Sequence, residues 1–356
     1  MTGDALTVGE RNTVVGASAL GADTQGNRAV AIGQSALAVQ NFTSATDNYN
    51  VAVGYAAGQQ VTTGTNNTLI GGLAGDALTT GSSNVAVGYG ALTTDDVGQW
   101  NVAIGRDALS AQNIVSAANT YNTAVGGSAG AAITTGTNNT LIGGLAGDAI
   151  TTGGSNTSVG YFSLSGLTTG SYNVAVGMQA LKNLTTASDS TAVGVSALVN
   201  TTTGTDNTGL GRAAGANITT GIQNTAVGSR ALDANTTANY NTAVGYGSLG
   251  ANTTGTENSA VGRSSLLANT TGGNNVAFGS GTLAGNTTAS YSTGLGWAAL
   301  FANTTGASNT GVGYKALVAN TTGASNTSVG TNSLDANTTG SNNTAMGQSA
   351  LGSNTT

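Results

Sequence analysis

The chain has 356 residues with 57 glycines, no proline, cysteine or histidine, and a formal charge of −6 from 8 basic and 14 acidic residues. No disulfide, thiolate metal site or histidine general base can be built from this set, and eight basic residues cannot form a nucleic-acid-binding stripe. Charged residues are only 6% of the chain, but its aliphatic residues recur at fixed positions, which a disordered tract does not require.

No apolar run reaches the ~18 residues of a membrane helix, and Met1–Gly9 lacks the basic and apolar segments of a signal peptide. Neither membrane insertion nor a nucleic-acid partner is expected, and no cofactor. The repeat begins at once. Glycines stand at 16 and 33, at 54, 71, 88 and 105, and then every 17 residues from Gly126 to Gly347. Such a short fixed period means one structural rung per repeat, stacked into a solenoid. We read residues 1–356 as a single repeat domain of about 20 rungs, a rod of about 95 Å at strand spacing.

Numbering each rung from its glycine as zero, position −1 is Val, Ile, Leu, Phe or Met in all 20 rungs, and −3 is Thr or Val in all but one, Ser259. A small residue usually lies between them. This period-2 pattern predicts a short strand with −3 and −1 facing the core. Position +4 is Leu except at Gly58, Gly75, Gly130, Gly147 and Gly215, and in those rungs +7 is Val61, Leu78, Ile133, Ile150 or Ile218. A side chain lost at +4 is replaced at +7, so both reach one core volume. Seventeen residues suit two strands and two turns, which predicts an all-β parallel solenoid with two strands per rung. Asn at −4 in 17 of 20 rungs predicts an Asn ladder that satisfies turn amides. Asn-Thr-Thr-Gly and its variants at +7 to +10 supply the other turn.

Four-residue insertions interrupt the period twice, within 40–48 and within 112–120. Val61–Asn84 matches Ile133–Asn156 at 21 of 24 positions, a block duplication, so the pair of loops reflects either shared ancestry or a binding role. Insertions in solenoids often fall on the binding face, which makes Phe42 and Ile114 candidate contacts. All ten Tyr and both Trp fall in two columns. The +1 column holds Tyr55, Tyr89, Tyr161, Tyr246, Trp297 and Tyr314. The −5 column holds Tyr49, Trp100, Tyr121, Tyr172, Tyr240 and Tyr291. These rings are either platforms for stacking sugars or covers for the turns. The small residues at −2, among them Ala52, Ala86, Ala124, Ala175, Ala226, Ala243 and Ala277, are expected to face outward as a flat apolar stripe. An exposed stripe of that length predicts self-association, most simply as a homotrimer.

Catalytic motifs fail in their context. Gly245-Tyr246-Gly247-Ser248-Leu249-Gly250 fits a dinucleotide fingerprint but no helix follows it. The acidic residues are scattered, with no carboxylate pair and no repeated calcium loop. An enzyme is not expected.

The units Asn-Thr-Ala-Val-Gly, Asn-Val-Ala-Val-Gly and Asn-Val-Ala-Ile-Gly resemble the Asn-Ser-Val-Ala-Ile-Gly repeats of trimeric autotransporter adhesin heads. The longer unit, as in Asn241–Gly255, resembles repeats of bacteriophage tail fibres. The resemblance covers nearly the whole chain and specifies architecture better than ligand. It implies a left-handed β-roll, three chains side by side, in a fibre of the virion tail that binds a host-surface glycan or protein receptor and joins other fibre or virion proteins. The 17-residue period departs from the adhesins, and no coiled-coil stalk, membrane anchor or C-terminal chaperone module is present in the sequence. A bacterial surface adhesin, a self-assembling extracellular filament and an ice-binding solenoid are the alternative readings.

Overall fold

A computed structural model describes residues 2–116 and 118–356; Met1, and Ala117 of the second insertion, lie outside the described residues. The protein is an all-β parallel solenoid of about 20 turns, with no α-helix among the described residues. It divides into two compact units, Met1–Met178 and Gln179–Thr356, each with ten three-residue rung strands. In the first unit they run from Thr13–Val15 to Val174–Val176, and in the second from Thr191–Val193 to Thr344–Met346.

Within each unit, successive strands pair in parallel at a shift of 17 residues, as in Thr225↔Thr242. The shift is 21 across each insertion, as in Val30↔Val51 and Val102↔Thr123. Within a rung, the −3 amide donates to the −4 carbonyl of the next rung, and the amide of glycine zero donates to the −1 carbonyl of the rung before. That even spacing is the parallel ladder.

Among the described residues each rung has one strand, not two, except beside the first insertion, where Gly26–Asn27 and Thr46–Asp47 pair as a short second sheet. From +1 to +6 the backbone is a run of tight turns. Positions +2 and +4 both have positive φ, for example Ser264 at 57° and Leu266 at 49°. Left-handed residues cannot extend a strand. This side is still bonded rung to rung, with the Leu232 amide donating to the Ser248 carbonyl and Leu249 to Ser265.

The strand faces opposite to expectation. The −2 residues are the buried ones, and −3 and −1 are half-buried or exposed. The coil is so thin that a strand side chain pointing inward meets the +3 and +4 residues at once, and only Ala fits there in most rungs. Ser at −2 confirms the contact: Ser158 Oγ lies 2.5 Å from Ser163 Oγ at +3, and Ser328 Oγ donates to the Ser333 carbonyl at 2.7 Å. The core is therefore the −2 and +3 small residues with Leu at +4, such as Leu232, Leu249 and Leu283.

The exchange between +4 and +7 holds. Val61, Leu78, Ile133, Ile150 and Ile218 are fully buried. A Cβ on Gly215 would lie 2.7 Å from Leu198 and 2.9 Å from Ile218. Leu69 and Leu141, the two large residues at −2 in the rung strands beyond Val14, fill the space beside Gly75 and Gly147.

Candidate ligand-binding face

The Asn ladder at −4 sets the turns. Asn224 Oδ1 accepts from the Asn241 amide at 3.1 Å, and Asn241 Nδ2 donates to the Gly255 carbonyl of the next rung at 2.9 Å. Each buried amide thus ties a strand start to the following turn. A second ladder runs at +7 through Asn252, Asn269, Asn286, Asn303, Asn320 and Asn337. In it, Asn286 Nδ2 donates to Asn269 Oδ1 at 2.8 Å and to its own turn at Ala289. Thr at +8 adds a third, its hydroxyl donating to the next +8 carbonyl, as Thr270 does to Thr287 at 3.0 Å. These last two ladders sit in what the sequence marks only as turn residues.

With its turns fixed, the solenoid presents its side chains in straight columns. Both aromatic columns are exposed, every Tyr and Trp between 47% and 67%. Tyr161 meets its neighbour Phe162 edge-on at 4.3 Å, and the other two ring contacts run along columns. Trp297 and Tyr314 stack at 5.2 Å with 14° between planes, and the Lys315 ammonium sits 5.6 and 5.5 Å from their centroids. Trp100 stacks on Tyr121 at 6.4 Å. Arg28 lies over Tyr49 while pairing with Asp47 at 2.9 Å. Thus Tyr55, Tyr89, Tyr161, Tyr246, Trp297 and Tyr314 are all on the surface, and the +1 column of the second unit borders a cavity of about 630 Å³ beside Trp297 and a smaller one of about 350 Å³ beside Tyr246.

The other two sets of expected contacts are placed differently. Phe42 and Ile114 are buried, only 6% and 7% exposed. The residue at +7 before each insertion explains this. Asp95 accepts from the Gly98 amide, the Ile114 amide and Gln112 Nε2, the last at 2.6 Å, and Gln112 Oε1 accepts from Asn122 Nδ2 at 2.8 Å. Asp23, Gln40, Phe42 and Asn50 repeat the arrangement under the first insertion. The carboxylate pulls the loop backbone inward and its apolar side chain with it. Burial holds the Asp95 carboxyl above the ordinary range despite these hydrogen bonds, and Asp96 beside it adds to the effect; burial also raises Asp148. The proposed seam residues Ala52, Ala86, Ala124, Ala175, Ala226, Ala243 and Ala277 are all fully buried inside the coil. They touch their own rung, and no second chain can reach them.

Among the described residues no group of three or more Asp or Glu side chains could hold a metal ion, and no helix is long and apolar enough to cross a membrane. No family model, curated protein or solved structure matches the chain.

Proposed function

We propose that the chain is a structural fibre element of a phage tail that associates through its strand face and meets a host cell surface, glycan foremost, through its aromatic columns. The observation that carries this reading is the outward strand face. Every −1 residue is a large aliphatic, Phe or Met, and Leu210, Phe278, Leu295 and Met346 are more than 40% exposed. A monomer rarely leaves so long an apolar band in water. Three copies packed by these faces would bury it and leave the +1 and −5 rings on the outside. The chemistry of the columns is suited to binding, so we assign no catalytic role.

Light scattering on the purified chain should give a mass near three times 34.2 kDa. Leu210→Glu with Val227→Glu, both on the outward face, should reduce it to one chain without loss of β structure. A wild-type mass of 34.2 kDa removes the seam and the trimeric fibre with it.

One observation favours a second reading. The −3 threonines also face outward, and among the described residues none of the thirteen gives its hydroxyl to a protein partner. A flat face of Thr beside aliphatics on a single chain is suited to ordered water, as in an ice-binding surface. Thermal hysteresis from a monomeric protein would select this reading over the fibre.

A further inference from the structure

The second unit contains a notch that the repeat itself explains. In most rungs the columns +1, +2, +5 and +6 carry at least one bulky side chain. The rung of Gly279 carries Ser280, Gly281, Ala284 and Gly285 there. The rung before it supplies Arg263 and Leu267, and the rung after it supplies Trp297 and Phe301. One rung of small residues between two rungs of large ones leaves a cavity of about 630 Å³ with a glycine-rich floor and apolar walls. Gly281 has a φ of 68° and its missing Cβ would face the Phe301 ring at 3.6 Å, so the floor lies directly beneath an aromatic wall.

The charge of the notch has one sign. Arg263 and Lys315 line it, no Asp or Glu does, and neither cation forms a salt bridge among the described residues. Lys315 is held over the Trp297 and Tyr314 rings, which fixes an ammonium at the rim. Tyr314 covers one face of Trp297. An aromatic wall, a shallow floor and two unpaired cations match a small ring with an apolar C–H face and an anionic substituent.

We infer that this notch binds a carboxylate-bearing pyranose, a unit of an acidic surface polysaccharide, with Trp297 and Phe301 packing on the sugar ring and Arg263 and Lys315 taking its carboxylate. This rests on the proposed surface-contact role and narrows it to one site and one ligand class. The second cavity, beside Tyr246 and sharing Leu267, holds Asp233 as well as Arg230 and lacks the single sign of charge.

The test is a glycan array of neutral and carboxylate-bearing pyranose oligosaccharides, read with the full chain and its variants. The wild type should bind carboxylate-bearing members. Trp297→Ala should weaken them about tenfold or more. Arg263→Ala with Lys315→Ala should abolish the preference over neutral sugars. Ala284→Phe fills the notch, and the same column already accepts Leu267 and Phe301, so the variant should fold as the wild type does and lose binding. Wild-type binding confined to neutral sugars, or undiminished by Ala284→Phe, overturns the notch. If the sugars so retained are lost on replacing Tyr161 and Tyr246 by Ala, surface contact by the columns stands without it. A wild-type chain that binds no glycan overturns the notch and the glycan contact together.

Discussion

Gly245→Ala should unfold the solenoid locally and cost about 3 kcal/mol or more, because two penalties act together. Gly245 has a φ of 128°, which L-residues rarely adopt, and a Cβ there would lie 2.6 Å from the Gly262 carbonyl oxygen and 2.7 Å from its carbon. The obstacle is backbone of the next rung and cannot rotate away. The same close approach recurs between successive rung glycines within each unit, from Gly16 against Gly33 to Gly160 against Gly177 and from Gly194 against Gly211 to Gly330 against Gly347, which is why this column alone never varies within the chain. Since each rung contacts only its neighbours, damage should stay local. Hydrogen exchange should show lost protection at the amides of Thr242 and Ser259, and denaturation should lose its single step. Protection equal to that of wild type would mean the rungs are spaced more widely than described.

Asp95→Ala should be the most costly single change in the first unit outside the glycine column. It leaves the Gly98 and Ile114 amides and Gln112 Nε2 without an acceptor, at about 1–3 kcal/mol for each buried group. Asp95→Asn should cost less. Its oxygen can keep the backbone bonds, but its amide then opposes Gln112 Nε2, so Gln112 must turn over and release Asn122. The pH dependence has a definite sign. Burial raises the folded-state value of Asp95 above the ordinary carboxylate value, so the folded chain binds the proton more readily than the unfolded one. Stability therefore falls as pH rises from the ordinary carboxylate value to the raised one, and is flat above it. The wild type should show this slope relative to Asp95→Ala in urea titrations across the acid range. An Asp95→Ala slope identical to that of wild type would show that the carboxyl is not held in this state.

Much of the solenoid was legible because its causes are periodic. The glycine step, the −4 Asn ladder and the exchange between Gly215 and Ile218 all follow from spacing. The inversion of the strand face did not, because the usual rule that large aliphatics point inward fails where the interior is one Ala wide. Two signals for it were present. Leu69 and Leu141 at −2 occur where +4 is Gly75 or Gly147, and Ser158 and Ser328 at −2 accompany Ser163 and Ser333 at +3. Both mark −2 as the inner neighbour of +3 and +4. The expected second strand is absent because the +1 to +6 side is left-handed at +2 and +4, and Leu at +4 gives no sign of such a backbone in the sequence. The burial of Phe42 and Ile114 depends on Asp23 and Asp95, whose reach across a turn no spacing rule reveals. Of the candidate site, the aromatic columns were visible in the sequence. The notch required knowing that +1, +2, +5 and +6 line one surface.

The three side-chain ladders give the chain a quantised length. Adding or removing a whole 17-residue unit between equivalent positions leaves every Asn, Thr and backbone bond with a partner of the same kind. The duplicated stretches Val61–Asn84 and Ile133–Asn156 lie 72 residues apart, four rungs plus one four-residue insertion. A fractional step is different. Each four-residue insertion breaks the count, and each is accompanied by its own buried carboxylate, glutamine and asparagine, Asp23 with Gln40 and Asn50, or Asp95 with Gln112 and Asn122. Integer changes in length need no new chemistry, whereas every departure from the integer requires a dedicated polar clamp to bring the chain back into phase.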